Sequence, residues 1–204
     1  PYSCFNYCTY PLQQGRKVRQ RSVENVVKEI KHWIENLKTN KFVFRDPVFS
    51  INRKHSIELC KELIKQNLNI KFAIETHLRI LDSELLELLI KAGLKATIVG
   101  VEGADASLLQ NENRFTVTID QQQQKINELK SKNIQVSAMF IIGFPSDNKI
   151  SINNTIKYAK KLIDEGNYLK CAILDWCIQN KVIMQQIKKN WIVVTYEQLV
   201  LDPL

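Results

Sequence analysis

Apolar residues recur along this chain with two alternating periods. Val23, Val26, Val27, Ile30, Ile34 and Leu37 fall on one helical stripe, and Ser22 stands where a helix cap belongs. Residues 41–45 read as a short strand that Asp46-Pro47 closes. A helix over about 56–66 follows, with Ile57, Cys60 and Ile64 on its apolar side. The pattern then predicts a strand over 70–75 and a helix that Asp82 caps, Lys91 ends and Gly93 closes. A strand over 95–101 ends on Glu102. A helix over 118–132 carries the polar run Gln121 to Gln124. A long apolar strand over 134–142 is closed by Gly143-Phe144-Pro145, and Ser151 caps a helix to Glu165 that Gly166 ends.

Strand and helix therefore alternate about four times, which is the pattern of an α/β protein with parallel strands. Unbroken apolar strands such as 138–142 suit a sheet covered on both faces. Open doubly wound sheets and barrels share this pattern, and periodicity does not separate them. In both, ligands gather at the carboxyl ends of the strands. The polar residues just past those ends are Asp46, Glu75, Thr76, His77, Glu102, Gly143 and Pro145. The rhythm changes after Gly166: residues 169–189 form one long helical stretch and 191–195 a strand. A boundary is expected near residue 168, giving units of 1–168 and 169–204.

Composition narrows the class. The chain has 204 residues, 45% of them hydrophobic, with only 6 Gly and 5 Pro, so it is neither a linker nor a disordered tail. A formal charge of +8 suits a phosphate-bearing partner, but the lysines are spread over helices and read as a solvated surface. No signal peptide and no apolar run long enough to cross a membrane is present, which points to the cytoplasm. The 5 cysteines have irregular spacing and are read as reduced. Cys60, Cys171 and Cys177 lie in apolar surroundings and read as packing residues. Cys4 and Cys8 remain as metal candidates, in an aromatic stretch that opens without an initiator Met.

The run Pro1-Tyr2-Ser3-Cys4-Phe5-Asn6-Tyr7-Cys8-Thr9-Tyr10-Pro11, continuing to Arg19, resembles the cluster loop of radical S-adenosylmethionine (radical SAM) enzymes, most of all those allied to the cobalamin-binding group. Arg45-Asp46-Pro47-Val48-Phe49, Ile74-Glu75-Thr76-His77, Val99-Gly100-Val101-Glu102 and Phe140-Ile141-Ile142-Gly143-Phe144-Pro145 resemble later landmarks of that group in order and spacing. The likeness covers residues 1–165, and the set is more specific than any one member.

The resemblance implies an incomplete (β/α)6 TIM-like partial barrel with a 4Fe–4S cluster at its top. There S-adenosylmethionine is cleaved reductively to a 5′-deoxyadenosyl radical. It implies Cys4 and Cys8 as cluster ligands. Tyr7 would lie against adenine, Glu102 would reach the ribose, and Gly143 and Pro145 would let backbone approach the nucleoside. Glu75 and His77 would face the pocket. Arg114 is the partner expected for the S-adenosylmethionine carboxylate, because a guanidinium fork matches a carboxylate. An electron donor such as ferredoxin or flavodoxin is implied, with a small-molecule or lipid-type substrate and, where used, cobalamin held by a domain ahead of Pro1.

Two departures from the family loop stand out. Its first cysteine would precede Pro1, as would the first barrel strand, leaving an open sheet edge beside 41–45. The spacing from Cys4 to Cys8 is also one residue longer than the family pattern. Residues 190–203 resemble a strand–turn of sulfotransferases, so a sulfotransferase piece is one alternative function. A basic RNA-binding module without catalysis is the other.

Overall fold

The computed structural model of the chain describes residues 15, 17–111, 114, 117–144 and 146–164. The expected elements beyond residue 164, the boundary near 168 and the sulfotransferase-like stretch lie outside the described residues.

Helix α1, Val23–Leu37, begins where the Ser22 Oγ accepts the Asn25 N–H at 3.3 Å and buries Val27 and Ile30. Strand β1, Lys41–Val43, is two residues shorter than the pattern predicts. Helix α2, Arg53–Lys65, starts three residues earlier than expected, because Asn52 caps it by accepting the His55 N–H at 3.3 Å. Ser56 is instead buried in that helix, its Oγ donating to the Phe49 and Asn52 carbonyls. Cys60 is fully buried as expected, but the apolar residues buried with it on this helix are Leu59 and Leu63; Ile64 faces solvent.

Strand β2, Lys71–His77, runs two residues past the expected end. Helix α3, Ser83–Ala92, is capped as predicted: the Asp82 Oδ1 accepts the Leu85 N–H at 2.9 Å, and Gly93 terminates it at φ +115°. A Cβ on Gly93 would stand 2.0 Å from the Ile70 carbonyl oxygen, so the return into the sheet requires glycine twice over. Strand β3, Leu94–Glu102, is followed by α4, Ala106–Asn111, a short helix the periodicity did not reveal. Helix α5, Ile119–Ser131, opens on a reciprocal Thr118–Gln121 capping box, so part of the glutamine run serves the helix start. Gln122 in the same run is buried and donates to the Val117 carbonyl at 3.1 Å.

Strand β4, Gln135–Phe140, stops two residues short of the predicted end. Helix α6, Lys149–Asp164, is capped by Asn148, whose Oδ1 accepts from the Ile150 and Ser151 N–H groups. Ser151, expected as the cap, is buried and donates to the Asp147 Oδ1 at 2.5 Å.

The four strands form one parallel sheet in the order β1-β2-β3-β4. This order decides between the two architectures left open. A doubly wound sheet reverses its strand order at a switch point. Here each strand is added to the same edge, and right-handed crossovers then place every helix on one face. The alternation agrees. Phe72, Ile74 and Thr76 of β2, Thr97, Val99 and Val101 of β3, and Val136 and Ala138 of β4 are buried beneath helices. Ala73, Glu75, His77, Ile98, Gly100, Ser137 and Met139 form the opposite, more open face. This is the wall of a partial barrel, with four of the six strands among the described residues.

Candidate active site at the strand carboxyl ends

Glu75 and His77 are two residues apart on β2 and share the open face. Their register partners across the sheet are Ile98 and Gly100. Burial raises the Glu75 carboxyl above the usual range, and Arg45, just past β1, partly offsets this. The His77 Nδ1 accepts the Arg79 backbone N–H at 3.1 Å. Burial, with Arg79 and Arg114 nearby, pushes its imidazole down to about 4. It is therefore neutral across the physiological range.

The ladder between β3 and β4 slips by one residue after the Gly100–Met139 pair, so that Glu102 stands opposite Phe140. Glu102 has φ +71°, and the Gly103 N–H bonds back to the Val101 carbonyl at 2.9 Å. That is a γ-turn of the φ-positive kind, which is rare and strained for a residue with a side chain. Its carboxylate folds back over Gly100; a Cβ there would lie 2.6 Å from Oε1. Gly100 thus makes room for Glu102, and the carboxylate ion-pairs with Arg114. Glu102 is only 7% exposed. Glu102 and Arg114, expected to meet different parts of a ligand, are joined to each other here.

Gly143 follows β4 at φ +102°, and a Cβ built on it would meet nothing within 4 Å. The Asp147 Oδ2 accepts the Gly143 and Phe144 N–H groups at 2.9 and 3.0 Å. The Ile141 N–H bonds the Glu102 carbonyl at 2.7 Å, which ties this loop to the γ-turn. Phe144 packs with Leu108 and Leu109 of α4.

Glu75, Glu102, Arg114 and Gly143 are thus all at the carboxyl ends of the sheet. Cys4, Tyr7, Cys8 and Pro145 lie outside the described residues. Sequence reasoning did not single out Asp147 or Gly100. An acidic residue four positions after Gly143 was a readable turn signal, whereas the clearance Gly100 provides needed coordinates. A separate groove of about 470 Å³ runs beside β1, lined among others by Arg21, Trp33, Phe42 and Phe44, with neither Glu75 nor Glu102 in its wall. Among the described residues no group of three His, Cys, Asp or Glu side chains could hold a metal ion, and no helix is long and apolar enough to cross a membrane.

A parallel sheet wound in one direction, with charged and glycine-bearing strand ends on one rim, defines a barrel-type α/β protein. The profile of the Radical SAM superfamily matches residues 4–159, and the chain belongs to that superfamily. Its members are enzymes built on a 4Fe–4S cluster and S-adenosylmethionine. An uncharacterized methyltransferase of Pyrococcus horikoshii is 26% identical over 200 residues, spanning 94% of this chain and 42% of the relative. The anaerobic magnesium-protoporphyrin IX monomethyl ester cyclase of Rubrivivax gelatinosus is 33% identical over 162 residues, 78% of this chain and 29% of the cyclase. The chain thus spans less than half the length of either relative. Among solved structures, the radical S-adenosylmethionine methyltransferase TsrM of Kitasatospora setae, with cobalamin and a 4Fe–4S cluster bound, shares the fold at a TM-score of 0.63 and 18% identity, over 70% of this chain and 29% of that one.

The residues present fit a nucleoside with an aminoacyl tail. Open space above Gly143 admits a flat ring against backbone. The Glu102 carboxylate, ion-paired with Arg114, stands as an acceptor at the same rim.

Proposed function

We propose that this chain is the S-adenosylmethionine-cleaving core of a radical enzyme acting on a small-molecule or lipid-type substrate. The match of residues 4–159 to the Radical SAM superfamily carries the reading, and the strand-end residues support it. When bound, the cluster supplies one electron to the sulfonium of S-adenosylmethionine. Cys4 and Cys8 would hold it through their thiolates, in a loop outside the described residues. Tyr7 and Pro145 would flank the adenine, Gly143 would lie beneath it, and Glu102, steadied by Arg114, would accept from the ribose hydroxyls. Glu75, its carboxyl raised above the usual range by burial, would face the pocket.

Residues 1–168 would form this core and residues 169–204 a separate segment. A low-potential donor such as ferredoxin or flavodoxin would deliver the electron, in the cytoplasm, where thiols stay reduced. The methyltransferase and cyclase relatives, and the cobalamin of TsrM, support a group-transfer or carbon-skeleton reaction of the cobalamin-allied type.

Anaerobic reconstitution with iron and sulfide of the chain extended upstream of Pro1 to restore the loop's first cysteine, followed by dithionite and S-adenosylmethionine, tests the reading. Expected are the broad charge-transfer absorbance of a cluster and release of 5′-deoxyadenosine, both lost in Cys4→Ala/Cys8→Ala. A chain that takes up no iron, or cleaves the cosubstrate equally without those thiols, overturns it.

A further inference from the structure

We infer that the substrate of this core is an apolar acid, whose hydrocarbon body lies on a floor formed by Ala73 and Ala96 and whose carboxylate meets Arg45. The inference rests on the reading of the chain as a radical enzyme core and narrows what that core accepts.

Strand register sorts the open face of the sheet into levels. Val43, Ala73, Ala96 and Gln135 are partners at the lowest, Glu75, Ile98 and Ser137 at the next, and His77, Gly100 and Met139 at the top. Successive levels are about 7 Å apart, two residues of strand. A closed barrel fills such levels with bulky branched side chains. Here the central strands β2 and β3 set alanines at the lowest level, and Ile98 is the one branched aliphatic residue above them. At the flanks, Val43 and Met139 are 59% and 56% exposed, whereas Ile74 and Val99 on the helix side are closed off. The floor is therefore open and apolar.

The top level is closed to an anion, because the Glu102 carboxylate lies over Gly100 and already holds Arg114. One level lower stands Arg45. The Phe44 N–H extends the ladder to the Ala73 carbonyl at 3.0 Å, and the Phe44 ring packs on Phe49 and Phe72 at the helix side. Alternation then turns Arg45 toward the open face, two positions beyond Val43 and level with Glu75. The Glu75 carboxyl feels its charge. Yet Arg45 is exposed and makes no hydrogen bond or ion pair among the described residues. Burial disfavours the charged form of Glu75, while the exposed guanidinium keeps its charge. A planar fork without a partner, above an apolar floor, matches a carboxylate carried on hydrocarbon and repels an ammonium. One level of depth suits a body of one or two rings.

Equilibrium dialysis with 1-naphthaleneacetate and with the neutral 2-(1-naphthyl)ethanol reads the preference. The protein is the reconstituted chain extended upstream of Pro1, with S-adenosylhomocysteine present to fill the rim. Wild type should bind the acid about tenfold more tightly than the alcohol, the worth of one charge-assisted contact. Arg45→Gln should bring the acid to the affinity of the alcohol and leave the alcohol unchanged. Ala96→Phe should weaken both by about tenfold or more at an unaltered melting temperature, because the added ring stands on the open face. Ala73→Leu does the same from the neighbouring strand, should the first variant fail to fold.

Equal affinity of wild type for the two probes overturns the inference. So does an acid preference that survives Arg45→Gln, or binding that survives both fillings of the floor. Iron uptake and release of 5′-deoxyadenosine are scored on a separate portion of the same preparation. Where those hold and the dialysis fails, the substrate class falls alone. Where those fail, the reading of the core falls and the inference with it.

Discussion

Glu102 shows how much a single residue can be asked to do. It is a non-glycine residue in the left-handed region, at a strand end, and nearly buried. Such a conformation costs on the order of 1–3 kcal/mol. It persists because the Ile141 bond, the Arg114 ion pair and the cleared space at Gly100 hold it from three sides. Glu75 carries a different cost. A carboxylate whose folded pKa lies above its unfolded value binds its proton more tightly in the folded chain. Stability therefore falls as pH rises through the carboxylate range, and the loss is complete once the group is ionised. Glu75→Gln should raise the melting temperature at pH 8 and leave it near the wild-type value at pH 4. An equal shift at both values would mean that ionisation of Glu75 is not what destabilises the chain.

At the scale of elements, the loop from Gly143 to Asn148 depends on one side chain. Asp147 accepts from two backbone N–H groups through Oδ2 and from Ser151 through Oδ1, so it anchors the Gly143 turn to the start of α6. Asp147→Ala should cost about 1–3 kcal/mol, because it leaves donors without partners in a part-buried loop. Urea denaturation would measure the loss, and faster amide exchange at Gly143 and Phe144 would localise it.

Helices and strands were largely legible because burial imposes its period on the sequence, and caps such as Ser22 and Asp82 carry their own chemistry. The errors fell where side chains compete for one job. Ser56 and Ser151 are cap-forming types, yet Asn52 and Asn148 take the caps and leave both serines buried. Helix α4 escaped because six residues hold too few turns to show a period. In the site, Glu75, Glu102 and Gly143 could be found from their place after strands. Their mutual arrangement could not, since the β3–β4 slip and the Glu102–Arg114 pair arise from contacts between distant segments.

At the scale of the molecule, the order of strands governs both strength and weakness. Winding in one direction brings every strand end to one rim, but it leaves the outer edge of β1 without a strand among the described residues. Val43, in register with Ala73, is 59% exposed on the lumen face of that strand. A solvent-facing side chain adds little to the fold, so Val43→Lys should keep the stability within about 0.5 kcal/mol of wild type in urea denaturation. A larger loss would mean that this part of the lumen face is covered.

Each strand also carries two independent messages in alternate letters. Ile74, Val99 and Ala138 speak only to the helices, while Glu75, Ile98, Ser137 and Met139 speak only to the lumen. Descendants of such a sheet can change the second set, and with it the molecule they accept, without rewriting the first. A new specificity can arise here on an old and undisturbed hydrophobic layer.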